Sequence, residues 1–264
     1  MRKLPFLLIF TAVFSTFSLA QSVDELVAKS IEARGGMEKL KSVQTVRATG
    51  KMEFGPGMEA PGSMVNKRPD MVRIDFTVQG LTAVQAYDGK SAWAIMPFMG
   101  KKDPEPMAAD EAKDMEENAD IDGPLVDYKA KGNQVELVGK ENVEGTPAYK
   151  LKVTMKNGDV KYMYLDTDSG LEIKEEQKRM IRGSEQETET SLGDYRAVDG
   201  IMFPFAIESG VKGSPHKQKL TLDKIEINAP VDSASFKMPP PTQTAPTTKP
   251  EAPKVQDKKE PPKN

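Results

Sequence analysis

Apolar and polar residues alternate along most of this chain, and this alternation restricts the possible folds more than any other feature. In residues 44–54 one phase carries Val46, Ala48 and Met52, while the other carries charged or hydroxyl side chains. A period of two is typical of a β-strand with one buried face and one wet face. The pattern also predicts strands at residues 71–78, 82–87, 91–96, 134–140, 148–155, 160–165, 171–177, 179–192, 203–208 and 217–227.

Short turns join these predicted strands, and no strand–helix–strand unit repeats along the chain. Asn157-Gly158, for example, is a dipeptide that favours a tight β-hairpin. The chain is therefore expected to be mainly β, with about ten or eleven antiparallel strands in one sheet. In the last strand Leu222 and Ile225 fall on opposite phases, which predicts a β-bulge near Asp223-Lys224.

A curled sheet of this length needs a cover for its apolar face, and the sequence offers two helices. One is expected to run from Asp24, as its cap, to about Arg34, before Gly35-Gly36. The other lies within residues 97–127, where an apolar stripe recurs at helical spacing: Ala108, Ala112, Met115 and Ala119. Because this stripe is thin and its residues are mostly small, we expect the second helix to bind its sheet weakly, as a movable lid does.

The two ends of the chain differ from the part between them. Residues 1–20 combine a basic start, a short apolar run and small residues at Ser18 and Ala20, which predicts a signal peptide cleaved before Gln21. Residues 239–264 are rich in Pro and Lys and contain no aromatic residue, which predicts a disordered tail. The folded domain is then expected at residues 21–238, exported, soluble and without a transmembrane segment after cleavage.

The composition excludes several kinds of catalytic and metal site. The chain has no Cys, which excludes a disulfide framework, a thiolate metal site, a cysteine nucleophile and a lipidated cysteine. Its single His, His216, falls in a predicted hairpin turn. Residues 166–170 resemble a calcium loop only faintly, because Gln177 stands where a bidentate Glu is needed. We expect no catalytic residue, no metal and no cofactor, and a net charge of −3 argues against nucleic-acid binding.

The candidate functional residues are apolar instead. The chain has 15 Met, and two groups of Met and aromatic residues lie in loops or at strand ends. The first group consists of Met52, Phe54, Met58 and Met64, and the second of Trp93, Met96, Phe98 and Met99. Methionine is flexible and polarisable, so such groups favour a surface that accepts varied apolar ligands; ordinary core filling is the alternative. Trp93 shares a phase with Ile95 and is expected on the concave apolar side beneath the lid, with core packing again as the alternative.

A series of short segments carries a family resemblance. In order along the chain they are residues 33–40 (ARGGMEKL), 87–93 (YDGKSAW), 120–128 (DIDGPLVDY), 139–145 (GKENVEG), 164–166 (YLD), 194–196 (DYR), 200–204 (GIMFP) and 236–239 (FKMP). In their order and spacing these segments resemble the LolA/LolB-like family of periplasmic carriers that sort lipoproteins to the outer membrane. The closest branch is that of outer-membrane lipoprotein-sorting proteins.

The resemblance implies an open, half-closed antiparallel β-barrel lidded by helices, with a hydrophobic cavity that holds acyl chains, in a periplasmic protein. Carriers of the family use an arginine on an early strand to hold the lid shut. Arg47 is the candidate for this lid latch, although it falls on the polar phase of its strand. The lipidated cysteine and the hydrophobic hook of the membrane-anchored members have no counterpart in this sequence.

Two functions from different classes follow from these observations. The first is a monomeric periplasmic carrier or sensor that binds lipoproteins or other acylated ligands without chemistry. The candidate ligand-binding residues are Trp93, Met96, Phe98, Met99, Met52, Phe54, Phe76 and Met115. The alternative is an adaptor in an envelope complex, which binds a protein partner through the same fold and the Pro-rich tail. A hydrolase has the least support, since no acid–base pair stands out.

Overall fold

The structure, a computed structural model, describes residues 22–55, 57–181 and 184–240, and for residues 179–181 it describes the backbone alone. The predicted signal peptide and nearly all of the predicted tail lie outside these ranges. The predicted boundaries of the folded domain therefore remain predictions.

Thirteen strands form one antiparallel sheet. They are β1 (Thr45–Glu53), β2 (Glu59–Lys67), β3 (Met71–Val78), β4 (Leu81–Tyr87), β5 (Ala92–Met96), β6 (Lys101–Pro106), β7 (Gln134–Val143), β8 (Thr146–Thr154), β9 (Val160–Asp166), β10 (Glu172–Ile181), β11 (Ser184–Val198), β12 (Ile201–Val211) and β13 (Lys217–Ile227). Their order is β6-β5-β4-β3-β2-β1-β13-β12-β11-β10-β9-β8-β7. The chain thus begins in the middle of the sheet, runs to one edge, crosses to the other edge and returns. Because β6 and β7 do not pair with each other, the sheet stays open, which confirms the predicted mainly β, open antiparallel architecture.

In the described part of the chain three α-helices accompany the sheet: α1 (Val23–Ala33), α2 (Met37–Ser42) and α3 (Ala109–Ala119). Both predicted helical covers are confirmed. The cap of α1 differs from the prediction, since Ser22 rather than Asp24 caps it, in a reciprocal capping box with Glu25. No helix within the described ranges is long and apolar enough to cross a membrane.

The helices all lie on one face of the sheet, which we call the inner face. Helix α1 packs Leu26 and Val27 against β8 and β9, on Leu151, Val153, Met163 and Leu165. Helix α2 and the segment after α3 pack on the centre of the sheet, and α3 packs on β3, β4 and β5. The opposite face is called the outer face here. Side chains that are directly opposite in neighbouring strands share a face, so the register assigns every strand residue to one of the two.

The predicted bulge in the last strand is confirmed. Thr49 pairs with Lys224 and Gly50 with Leu222, so Asp223 is the extra residue. The bulge brings the two apolar phases of β13 onto the inner face together, since Ile225 is opposite Ala48 and Leu222 is opposite Gly50. A Cβ on Gly50 would lie 2.2 Å from the carbonyl oxygen of Thr221, so only glycine fits at this crossing.

Candidate functional site

Three aromatic rings meet on the inner face at one end of the sheet. Phe54 follows β1, Phe76 lies on β3, and Phe98 lies in the turn between β5 and β6. The ring centroids of Phe54 and Phe76 are 5.9 Å apart, and those of Phe76 and Phe98 are 5.8 Å apart. They meet because the β1–β2, β3–β4 and β5–β6 hairpins all turn at the same end of the sheet. The structure therefore brings together three of the residues that the sequence proposed for the site.

A row of aliphatic side chains continues this surface across the middle of the sheet. Met52 on β1 is opposite Leu220 on β13, Leu220 is opposite Ile207 on β12, and Ile207 is opposite Leu192 on β11. All four side chains are half-buried. We call this row, together with Phe54, Phe76 and Phe98, the apolar inner patch. Sequence reasoning did not propose Leu192, Ile207 or Leu220, because no local pattern shows which strands become neighbours of β1.

Helix α3 occupies the position expected of the lid and spans the two halves of the sheet. Its apolar side holds Met115, which is 3 % exposed, and Ala119 on Val72 and Ala92. Its polar side reaches β9 and the preceding turn, where Lys113 Nζ lies 2.5 Å from Asp159 Oδ2 and Glu117 Oε2 lies 3.1 Å from Lys161 Nζ. Met115, a candidate ligand contact, therefore packs α3 onto the sheet.

A buried ionic cluster lies beneath the polar side of α3. Lys161 is buried, and its ammonium lies between Glu117 and Glu175. Burial alone would lower the pKa of Lys161, but the two carboxylates outweigh it and raise the pKa. Nearby, Oε1 of Glu172 is buried and accepts no hydrogen bond. Burial, helped by the charge of Glu175, raises the pKa of Glu172 well above its usual range.

A cleft of about 930 Å³ is lined by the polar side of α3, by the turn between β8 and β9, and by residues of β8 to β11 that continue onto the outer face. Its charged lining residues are Asp110, Lys113, Asp114, Glu117, Lys150, Lys152, Asp159, Glu176, Lys178, Glu185, Glu187 and Lys212. A hydrophobic cavity was expected, and this cleft is instead charged. The apolar surface of the molecule is the open inner patch, where the side chains remain partly accessible to solvent.

Trp93 lies on the outer face, contrary to its expected place beneath the lid. Its neighbour Ala92 packs under α3, so strand alternation turns Trp93 to the other side, against Val84 and Ala86. The indole is only 2 % exposed, and its Nε1–H donates to the carbonyl oxygen of Phe236 at 2.8 Å. The structure thus places Trp93 in a core contact with the C-terminal segment of the domain.

Arg47, the candidate lid latch, also lies on the outer face, where it donates to the carbonyl oxygen of Pro230 at 3.4 Å. Two arginines hold the chain after α3, since Arg34 donates to the carbonyl oxygen of Asp122 at 2.8 Å and Arg68 binds the carboxylate of the same residue. The guanidinium of Arg68 donates two hydrogen bonds to this carboxylate, at 2.8 and 2.6 Å, and also binds the carbonyl oxygens of Val43 and Leu40. Burial opposes ionisation of Asp122, but the bonds and charge of Arg68 outweigh burial and lower the pKa of this carboxyl.

The remaining candidates lie near the aromatic end of the sheet. Met96 is half-buried where β5 ends, and Met99 is 67 % exposed in the turn that follows. His216 is exposed in the β12–β13 turn. In the suspected calcium loop, Asp166 accepts hydrogen bonds from Ser169 and from the backbone of Asp168, so it holds a hairpin turn. Within the part of the chain that the structure describes, no group of three or more Asp, Glu or His side chains is placed to hold a metal ion.

Comparison with known proteins establishes the fold. No family model and no curated protein matches the sequence. A DUF1329 family protein from Desulfovibrio piger is 12 % identical with a TM-score of 0.59, and the match covers 83 % of this chain and 98 % of that one. A LolA superfamily protein from Nitrosomonas europaea is 13 % identical with a TM-score of 0.54, over 83 % of this chain and 98 % of that one. An outer membrane lipoprotein-sorting protein domain from Vibrio parahaemolyticus is 12 % identical with a TM-score of 0.53, over 80 % and 94 %. The chain therefore has the open β-sheet fold of LolA superfamily proteins, in agreement with the family resemblance.

Proposed function

We propose that this protein is a periplasmic carrier or sensor that binds the acyl chains of lipoproteins or other acylated ligands on the apolar inner patch, without enzymatic chemistry. The observation that carries this proposal is the patch itself, where large aliphatic and aromatic side chains lie side by side on one face and still reach solvent. Contiguous accessible apolar surface of this kind is typical of a ligand site. Because each buried CH₂ group contributes about 0.8 kcal/mol, about ten buried methylenes supply the roughly 8 kcal/mol of micromolar binding without polar recognition.

The lid supports the same function. Helix α3 is anchored by small apolar side chains and Met115 on one side, and by the partly exposed Lys113–Asp159 pair and the buried Glu117–Lys161 pair on the other. The partly exposed pair contributes little stability, and when α3 separates from β9 the charge of Lys161 keeps Glu175 as its partner. Such a helix can move to admit or release a ligand while the sheet keeps its shape.

The test is titration of the purified protein with a fluorescent fatty acid. We expect a Kd of about 1 µM or lower, because a buried acyl chain supplies enough apolar contact for about 8 kcal/mol. Phe76→Ala removes the central ring of the aromatic group and should raise Kd about tenfold, equivalent to about 1.4 kcal/mol. Ile207→Ala should weaken binding by a smaller factor in the same direction.

Ile95→Ala is the matched control. Like Ile207, Ile95 is a half-buried isoleucine in a strand, but it packs on the outer face with Val84 and Trp93. The Ile95→Ala variant should therefore leave the Kd for the fatty acid unchanged. If probe emission does not change at tens of micromolar protein, or if Ile95→Ala weakens binding as much as Ile207→Ala, the carrier function is wrong. Native mass spectrometry of protein purified from the cell envelope would identify the bound acyl ligand.

The charged cleft favours a second candidate function, that of an adaptor for a protein partner. Its lining of alternating Lys and carboxylate side chains suits a polar peptide rather than an acyl chain. Native mass spectra that show a bound polypeptide and no lipid, together with an unresponsive fatty-acid probe, would favour the adaptor over the carrier.

A further inference from the structure

We propose that one end of the sheet docks on an anionic lipid bilayer. This surface, which we call the apolar rim, consists of Met58, Leu81, Phe98 and Met99. The inference rests on the proposed carrier function, because the rim adjoins the apolar inner patch, but it concerns a separate act: contact with the membrane rather than binding of a ligand.

The rim is formed by three neighbouring hairpin tips. Met58 lies in the β1–β2 turn, Leu81 follows the β3–β4 turn, and Phe98 and Met99 lie in the β5–β6 turn, all at the same end of the sheet. Their exposures are 54 %, 46 %, 40 % and 67 %. Four of the eight large apolar side chains that are exposed in the described structure thus lie on these tips. Exposed apolar residues are normally scattered singly, so such a concentration indicates a binding surface.

The shape and charge of the rim fit a bilayer. The apolar side chains protrude from separate turns, and an acyl layer accepts such separate wedges, whereas a protein partner would need a matching pocket for each one. Lys101 and Lys102 are exposed and follow Met99 after Gly100, and Lys101 also pairs with Glu105 at 3.1 Å. An apolar tip with lysines beside it combines insertion with attraction to anionic headgroups.

The rings provide continuity between the rim and the ligand site. Phe98 belongs to both, and its ring lies 5.8 Å from that of Phe76, which lies 5.9 Å from that of Phe54. An acyl chain that leaves the bilayer at the rim can therefore reach the inner patch along a continuous apolar surface. This arrangement places the proposed membrane contact on the first six strands, next to the aromatic part of the ligand site.

The experiment is flotation of the purified protein with vesicles of phosphatidylethanolamine and phosphatidylglycerol. The rim variant Leu81→Asp leaves every residue proposed as a ligand contact in place, and it should lower the partition coefficient about tenfold, because it puts a negative charge where the rim enters the bilayer. Its matched control, Val138→Asp, makes the same change at an exposed apolar side chain away from the rim and should bind as the wild type does. Binding should weaken at high salt and on phosphatidylcholine vesicles, because the headgroup attraction is lost.

Fatty-acid binding in solution separates this proposal from the carrier function. The rim variant should keep the wild-type Kd for the probe while losing vesicle binding. If the wild type does not float with the anionic vesicles, or if the rim variant and its control lose binding equally, the membrane-docking proposal is wrong, whatever the probe shows. A failure of the wild type to bind the probe, with rim-dependent flotation intact, would contradict the carrier function alone.

Discussion

The two halves of the sheet share one architecture but differ in the chemistry of their faces. On the outer face of β7–β13, Lys and Glu form a ladder of cross-strand pairs, which includes Lys174–Glu189, Lys212–Glu187 and Lys217–Glu208. On the outer face of β1–β5 the C-terminal segment of the domain covers the strands. Lys67, Arg73 and Trp93 each donate a 2.8 Å hydrogen bond to a carbonyl oxygen of that segment.

On the inner faces the contrast is reversed: the second half is covered, and the first half remains partly open to solvent. On β8 and β9 the inner face is filled by α1, whose Leu26 and Val27 complete a closed core. In the first half, the rings of Phe54 after β1, Phe76 on β3 and Phe98 in the β5–β6 turn remain partly accessible. The half formed by β7–β13 thus has an apolar inner face and an ionic outer face, as is usual for a sheet with one face exposed to solvent. In the half that contains β1–β5, the C-terminal segment covers the outer face. The inner face of that half keeps accessible apolar side chains, and there we propose that a ligand binds. The comparison predicts that the two halves respond differently to substitution.

The largest effect should come from the covered outer face of the first half. Trp93→Ala removes a fully buried indole and its hydrogen bond to Phe236, and should lower the free energy of unfolding by about 3–5 kcal/mol. Denaturant titration measures this change. Trp93→Phe is the control, since it keeps most of the ring volume and should cost clearly less than Trp93→Ala. A loss below about 1 kcal/mol for Trp93→Ala would show that the C-terminal segment does not form a core with β3–β5.

The sequence predicted most of this architecture because the period of two is a local signal. It failed where that signal is interrupted or absent. In β2, Pro61 and Gly62 break the alternation, and β6 reads KKDPEP, with no apolar phase at all. Both strands form because a neighbour supplies the pairing, and tertiary pairing leaves no trace in local periodicity. The long predicted strand at 179–192 is divided between β10, which ends at Ile181, and β11, which begins at Ser184.

Local sequence patterns also predicted part of the candidate site, but not the contacts that depend on the tertiary fold. Phe54 and Phe98 were identified because they belong to groups of Met and aromatic residues in loops or at strand ends, and Phe76 lies on the apolar phase of a predicted strand; their contact follows from sheet order. Alternation also predicted that Trp93 and Ala92 face opposite sides, but it could not tell which side carries α3. The Arg68–Asp122 pair joins residues 54 positions apart, so no local pattern indicates it.

The second prediction concerns this junction between the halves. Arg68→Ala leaves Asp122 and the carbonyl oxygens of Val43 and Leu40 without their donor, and should cost about 2–3 kcal/mol at pH 7. Since the folded protein lowers the pKa of Asp122, its contribution is present above the unfolded value of about 3.9 and is lost as pH falls below it. The stability difference between wild type and Arg68→Ala should therefore shrink below about pH 4. Denaturation at several pH values measures it, and a difference that stays constant with pH would contradict the role given to the ion pair.

The smallest effect should come from the ionic ladder of the second half, at Glu176. Burial alone would raise the pKa of this carboxyl, but the hydrogen bonds from Lys174, Lys212 and Tyr164 outweigh burial and lower the pKa to about 2. The carboxylate therefore stabilises the fold above the unfolded pKa of about 4.3, and this contribution is lost as pH falls towards 2. Because Lys212 is largely open to solvent and its charge is screened, Glu176→Gln should cost only about 1–2 kcal/mol at pH 7.

That cost should disappear near pH 2, where the wild-type carboxyl is itself protonated. The control is Glu185→Gln, which removes the exposed Lys178–Glu185 pair of the same strands and should change the free energy of unfolding by less than about 0.5 kcal/mol. Urea titration of both variants at neutral and acid pH measures the difference. Equal costs for the two substitutions would mean that the ladder acts as a set of independent surface pairs. In that case the charged outer face of the second half would affect the solubility of the protein and not its free energy of unfolding.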